Sequence, residues 1–415
     1  MHFYRYQNKL LFSFEEYSCL EKISVSTVDL SKDNLYFLKN FDRGKSRRSF
    51  VVTQPSQLFI KEEGINLLAL EESQRNLPPW LIDRIHNREV VSINTAYDDW
   101  QDVLNLSPPP KWRVNILGLG DVGSNLLIGL KLLGGDCIKE IGIYDRNPNK
   151  LQRWEREANQ IYGVNQPMAK VVPLDFNNLF NCDLFIFCVA ARVPAIGEEN
   201  IDVRMVQLKE NAKILSTYGK MARDVGYKGI FAVVSDPVDL LCSSLLKASN
   251  TDTDGNMDYK GLLPDQIRGY GLGVMNARAL YYAMDHSTAP YYETEGRAYG
   301  PHGEGLIIAD NIHNYNHEKS LYLTEKAKTA NLEIRSLGFK PYIAPALSSG
   351  ALSILDTIRG NWHYSATYMG GVYMGALNRF TSQGVEVEAN HLHPQLLERL
   401  KGTYQLLEEL GKGSE

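Results

Sequence analysis

The rhythm of apolar and polar positions changes near residue 107. Before it, the alternating stretches Lys22-Ile-Ser-Val-Ser-Thr-Val28 and Ser49-Phe-Val-Val-Thr53 predict strands. Leu67–Glu72 and Pro79–Ile85 predict short helices, so residues 1–107 read as a small N-terminal α+β module. Ser107-Pro-Pro-Pro110 then interrupts the pattern. Consecutive prolines cannot continue a helix or a central strand and hold the backbone extended, which makes 108–110 a linker.

Beyond the linker, apolar runs of strand length alternate with helical spacing. Arg113–Leu117, Glu140–Asp145, Asp183–Val189 and Gly229–Ser235 predict strands; Asp121–Leu133, Leu151–Tyr162 and Asp202–Asn211 predict helices. Repeated βα units with near-continuous apolar strands predict an α/β domain over 111–238, a doubly wound parallel sheet covered on both faces. Residues 239–415 are mixed α+β: a turn and helix over Asp265–Met284, a strand at Leu306–Ala309, helices at Ser348–Arg359 and Pro394–Leu410, and strands at Tyr368–Met374 and Gly384–Ala389.

Composition narrows the function classes. A chain of 415 residues is too long for one core. With 44 Lys and Arg against 49 Asp and Glu it carries a net charge of −5, and no basic footprint points to nucleic acid. The short cluster Arg43-Gly-Lys-Ser-Arg-Arg48 reads as a solvated hairpin tip. No apolar run has the length of a membrane span, and the start Met-His-Phe-Tyr-Arg-Tyr lacks an apolar signal core. Five scattered cysteines form neither a disulfide framework nor a metal pair, and a cytoplasmic protein without a bound metal is expected.

Gly118-Leu-Gly120-Asp-Val-Gly123 follows a predicted strand and opens a predicted helix. In such a turn the first glycine permits the sharp bend, the second lets backbone approach a pyrophosphate, and the third lets helix pack on strand. The helix N-terminus offers free N–H groups to phosphate. Asp145 ends the next predicted strand at the spacing of a ribose-binding acid. An acid there favours NAD over NADP; Arg146 beside it is the one residue that could receive an extra phosphate.

From Lys111 onward the chain resembles the L-lactate/malate dehydrogenases. The matching stretches come in family order: Ile116–Gly123, Val234-Ser-Asp-Pro-Val-Asp239, Leu263-Pro-Asp-Gln-Ile-Arg-Gly269, Ala277-Arg278, Gly300-Pro-His-Gly-Glu304 and a closing helix before Gly411. Residues 1–107 have no counterpart in that resemblance. It implies a Rossmann domain followed by a mixed α+β catalytic domain, NAD as cofactor, a small carboxylate as substrate, and a homo-oligomer, dimer or tetramer, with neither nucleic acid nor membrane as partner. It implies His302 as the acid–base group, Arg278 as the clamp on the substrate carboxylate, Arg204 as the group polarising its carbonyl, and Arg192 as a loop contact. Cofactor contacts are implied at Gly118, Gly120, Asp121, Val122, Gly123, Asp145, Arg146, Val189, Ala190 and Asp236. The activity implied is hydride transfer between NAD(H) and a 2-hydroxy or 2-oxo acid.

Two positions depart from the resemblance. The family pairs its histidine with an aspartate three residues before the clamping arginine, where this chain has Met275. It has asparagine where this chain has Asp236. One carboxylate is missing from the implied site and another stands in it, so Asp236 is the expected partner of His302, with Glu304 the weaker candidate. Pro341-Tyr-Ile-Ala-Pro345 also replaces small residues expected near the far end of the substrate. Tyr281, Tyr282, Tyr291, Tyr292 and Tyr299 are expected in ordinary core and surface roles. The same departures support a second reading, an NAD-binding sensor or regulatory protein on the same fold.

Overall fold

The computed structural model describes all residues except 25–33, 72–75, 192–200, 286–287 and 414–415, together with the side chains of 201–206 and 413. The chain divides into two compact units. One holds Met1–Pro108 with Met369–Gly371 and Arg379–His391; the other holds Pro109–Tyr368, Val372–Asn378 and Leu392–Glu415.

The first unit is built on strands β1 (His2–Tyr6), β2 (Lys9–Ser13), β3 (Glu21–Ile23), β4 (Leu35–Lys39), β5 (Ser49–Val51) and β6 (Val90–Asn94), in the order β3-β1-β2-β4-β6-β5. β2, β4 and β6 run parallel. Successive side chains of a strand point to opposite faces. Phe12, Leu35 and Phe37 thus meet Leu81 and Ile85 of helix α1 (Pro79–His86), while Leu11, Tyr36, Leu38 and Ile93 meet Val103 and Leu104 on the other side. Both faces are covered, so β4 reads as an apolar run and β6 is buried along its whole length, Ser92 and Asn94 included.

Two expectations change in this unit. Of Leu67–Glu72, Leu67 and Leu68 close the 3₁₀ turn Ile65–Leu68, residues 69–71 are not helical, and Glu72 lies outside the described residues. The backbone after it pairs with the returning segment instead, Leu70 N–H donating to the Asn390 carbonyl at 2.9 Å. The Arg43–Arg48 cluster is not a solvated tip. Arg43 pairs with Asp98, Arg48 with Asp99, and Arg47 with Glu63 at 2.8 Å in a fully buried ion pair.

The second unit runs β7 (Trp112–Leu117), α2 (Asp121–Leu133), β8 (Ile138–Tyr144), α3 (Pro148–Gln160), β9 (Lys170–Pro173), β10 (Leu184–Phe187), α4 (Ile201–Asp224), β11 (Ile230–Val233), α5 (Val238–Asn250) and β12 (Ile267–Gly269). Then come α6 (Leu272–Asp285), α7 (Tyr292–Glu295), β13 (Arg297–Tyr299), β14 (Ile307–Ala309), α8 (His317–Ser336), α9 (Ser353–Arg359), β15 (His363–Met369), β16 (Val372–Thr381) and α10 (Pro394–Gly413). Its sheet is ordered β16-β15-β12-β11-β10-β7-β8-β9, parallel from β12 to β9. The direction of winding reverses between β7 and β10, the point where doubly wound folds leave a crevice beyond the strand ends.

Local chemistry sets the ends of these elements. α3 begins earlier than the spacing alone predicts, because Asn147 caps it by accepting the Asn149 and Lys150 N–H groups. Tyr368–Met374 is not one strand; Gly370 and Gly371, at φ +65° and +120°, turn the chain between β15 and β16. The last predicted strand stops at Val387. Ser348–Arg359 begins inside the wider π turns of Pro345–Leu352 before tightening into α9.

The Arg47–Glu63 pair gives a direct test of the first unit. Removing one partner of a buried ion pair leaves an uncompensated charge, so Glu63→Leu is expected to cost about 3–5 kcal/mol in urea unfolding. Arg47→Met combined with Glu63→Leu is expected to recover most of that loss.

Candidate dinucleotide and acid–base site

The crevice at the switch point is shaped by three glycines with different duties. Gly118 sits at φ +95°, and a Cβ there would lie 3.1 Å from the Cys188 carbonyl oxygen. A Cβ on Gly123 would come within 1.9 Å of the Gly118 carbonyl oxygen, so only glycine lets α2 pack this close. A Cβ on Gly120 would meet nothing within 4 Å. The loop is therefore tight behind Gly118 and Gly123 and open in front of Gly120. No side chain caps α2, whose first turn, with Asp121 and Val122, faces this opening with free N–H groups.

Asp145, just past the end of β8, braces the loop. Its Oδ2 accepts the Leu119 N–H and its Oδ1 the Asn147 N–H, both at 2.9 Å. Arg146 is exposed, and Asp121 pairs with Lys340 at 3.6 Å. The open cradle at Gly120, the uncapped turn of α2 and Asp145 fit the pyrophosphate and ribose of a dinucleotide.

Across the crevice, Val189 and Ala190 follow β10. Ser235 donates its hydroxyl proton to the Val189 carbonyl at 2.7 Å. Asn211 of α4 accepts the Ala191 N–H and donates to the Asp236 carbonyl, each at 2.8 Å. Neither Ser235 nor Asn211 was singled out from the sequence. Asn211 left one trace there: it is a polar residue on the fully buried stripe with Leu208 and Leu215.

Asp236 follows β11 and is joined to Pro237 by a cis peptide bond. His302 lies on the loop between β13 and β14, which turns through Gly300, Gly303 and Gly305, all at positive φ. The Gly300 N–H donates to the Gly375 carbonyl at 2.9 Å. A Cβ on Gly271 would sit 3.0 Å from the His302 Cβ, so that glycine admits the loop. The structure brings the two side chains together, with His302 Nδ1 2.9 Å from Asp236 Oδ1. An ionised carboxylate only accepts hydrogen bonds. Nδ1 therefore carries the proton, and Nε2 is the nitrogen turned to other chemistry.

Met275 is fully buried in α6, and its sulfur accepts from Arg278 Nη1 at 3.5 Å. The same Nη1 donates to the Ala327 carbonyl at 3.3 Å. Burial lowers the Arg278 pKa, and the nearby Asp236 charge opposes that shift, which places the guanidinium within electrostatic reach of the Asp236–His302 pair. Glu304 points elsewhere, to Lys328 at 2.8 Å. Arg192 lies outside the described residues, and Arg204 stands in α4 with its side chain outside them.

Asp239, in the first turn of α5, is a buried acid that its motif alone does not set apart. Burial pushes its carboxyl up to about 8, against N–H groups that hold it down, and the Asp236 charge adds to the rise. The five tyrosines divide between core and surface: Tyr292 and Tyr299 are buried, Tyr282 donates to Glu333 at 2.7 Å, Tyr291 to Asp310 at 3.2 Å, and Tyr281 is exposed. Among the described residues there is no group of three or more His, Cys, Asp or Glu suited to a metal ion, and no helix is long and apolar enough to cross a membrane.

The glycines supply a test. Gly120→Ala is expected to change stability by less than about 1 kcal/mol, since its φ suits alanine. It is expected to weaken NADH binding, followed by fluorescence, by about tenfold or more through filling the cradle. Gly123→Ala is expected to destabilise the protein by about 1–3 kcal/mol through overpacking.

Known proteins bear on this site. Residues 112–258 match the family described as lactate/malate dehydrogenase, NAD binding domain. A probable malate dehydrogenase of Campylobacter jejuni is 24% identical over 259 residues, 60% of this chain and 79% of that protein. An L-lactate dehydrogenase of Mycoplasma pneumoniae is 24% identical over 195 residues, 47% of this chain and 57% of its own length. Among solved structures, a lactate dehydrogenase from a Medee basin deep-sea metagenome library superposes with a TM-score of 0.61 at 18% identity, covering 74% of this chain and 99% of that one. The malate dehydrogenase of Picrophilus torridus does so with 0.57 at 17%, covering 73% and 97%. These likenesses agree on the doubly wound sheet and the mixed part that follows it. Over residues 112–258 the chain is an NAD-binding domain of the lactate/malate dehydrogenase family.

Proposed function

We propose that the protein is an NAD-dependent 2-hydroxy acid dehydrogenase in which Asp236 serves as the partner of the acid–base residue His302. The observation that carries this reading is the 2.9 Å contact from His302 Nδ1 to Asp236, which leaves Nε2 for substrate. Dehydrogenases of lactate and malate stand among its relatives, and the resemblance in the sequence assigns the acid–base and clamping roles to His302 and Arg278.

Bound NADH supplies the hydride that reduces the ketone carbon. The residues of the chain do the rest. His302, protonated on both nitrogens, releases the Nε2 proton to the substrate oxygen as it becomes a hydroxyl. It is left as the Nδ1–H tautomer, the form the Asp236 carboxylate accepts from. Atoms and charge balance: a 2-oxo acid, NADH and a proton give a 2-hydroxy acid and NAD⁺. Arg278 holds the substrate carboxylate with its planar guanidinium, and Arg204 polarises the carbonyl. Asp236 stays compatible with an anionic substrate because its charge is shared between His302 and Arg278. Gly118, Gly120, Gly123 and the first turn of α2 hold the pyrophosphate, and Asp145 holds the adenine ribose. The free thiols of the described cysteines suit a reducing compartment such as the cytoplasm.

NADH oxidation across small, dicarboxylic, branched and aromatic 2-oxo acids tests the reading. Turnover is expected with one class, and His302→Asn is expected to lower kcat by about 10²–10⁴-fold. Arg278→Ala is expected to lower kcat/KM by about a hundredfold. Tight NADH binding without turnover on any acid would instead support the sensor reading.

A further inference from the structure

Asp239 takes no part in the proton transfer above, yet it is built into the same turn. It stands three residues after Asp236, at the start of α5, and is 4% exposed. Its carboxyl is faced by three backbone N–H groups: its own, that of His302, and that of Gly375 on β16. Its Oδ1 has no hydrogen-bond partner among the described residues. The carboxyl thus sits where the Asp236 turn, the His302 loop and β16 converge, and it faces the N–H of the residue whose side chain Asp236 holds.

The charged and titratable groups around it are few. Asp236 shares its turn and repels a second anion. His302 lies on the neighbouring loop. Cys242, on the same helix, is a fully buried thiol held well above its ordinary range by burial and by Asp239. Arg268 of β12 acts on that thiol in the opposite sense. β16 contributes an N–H group.

We propose that Asp239 is the positioning residue of the Asp236–His302 pair, one buried carboxyl that ties the His302 main chain to the Asp236 turn. The proposal rests on the reading of His302 as the acid–base group for its effect on turnover, though not for its geometry. Uncharged, the side chain accepts N–H groups without opposing Asp236. Charged, it would place a second anion beside Asp236 in a buried site and draw the turn toward water. The folded chain holds this proton more tightly than the unfolded chain. The stability Asp239 contributes is therefore complete below its ordinary 3.8 and is lost as pH rises through about 8.

The test is ¹⁵N NMR of the histidine-labelled full chain, with His302→Asn assigning the resonance. Nitrogen shifts report which ring nitrogen carries the proton, a property that general destabilisation does not move. Neutral His302 is expected to show the Nδ1–H tautomer in the wild type near pH 7 and to lose it by about pH 9.5. Asp239→Asn keeps an uncharged group of the same shape, and is expected to hold the tautomer at both pH values. Asp239→Leu is expected to lose it throughout, with circular dichroism confirming a folded chain. A folded Asp239→Leu that keeps the tautomer would overturn the proposal. So would identical alkaline behaviour of the wild type and Asp239→Asn, a comparison that stands even where Asp239→Leu does not fold. Absence of turnover on every 2-oxo acid would defeat the dehydrogenase reading and leave this result intact.

Discussion

The hydrogen bond between the Asp236 carboxylate and His302 Nδ1 is the contact on which the proposed chemistry turns. An imidazole has two equivalent ways to carry its proton, and only a fixed acceptor on one nitrogen makes the other a defined acid or base. Here the acceptor comes from the end of a sheet strand, through the turn that leads into α5. Much of the surrounding structure keeps those two segments at that distance. Gly271 gives the His302 loop room, Gly300 anchors it to β16, Asn211 holds the Asp236 carbonyl, and Asp239 faces the His302 N–H.

The arrangement exchanges one position for another. The resemblance puts the partner acid on α6, at the position where this chain has Met275, buried and in contact with Arg278. Asp236, half-exposed, instead reaches the imidazole from the turn that follows β11. In the proposed reaction that negative charge lies beside the residue that meets the substrate oxygen. The guanidinium of Arg278, which feels the Asp236 charge, and the imidazole make that position tolerable.

The doubly wound sheet was legible because its strands are short apolar runs between helical periods, and the glycine spacing placed the crevice. The first unit was less legible. Its sheet is covered on both faces, so β4 and β6 lack alternation, and the Arg43–Arg48 cluster looks solvated until Glu63, Asp98 and Asp99 are seen beside it. Asp236 drew attention through chemistry, as a carboxylate in a motif where the resemblance has an amide. Asn211 and Asp239 did not, because a buried polar residue is recognised by what it touches: a loop N–H and a carbonyl for one, the main chain of His302 for the other. Residues so far apart in the chain meet only through the order of the strands.

Moving the carboxylate from Asp236 to α6 shows whether the pairing governs turnover. Steady-state kcat/KM would be compared for the wild type, Asp236→Asn, and Asp236→Asn combined with Met275→Asp. The account predicts a loss of about 10³–10⁴-fold for the single variant, whose amide no longer fixes the tautomer, and a substantial recovery in the double variant. Asp236→Asn turning over like the wild type would contradict it.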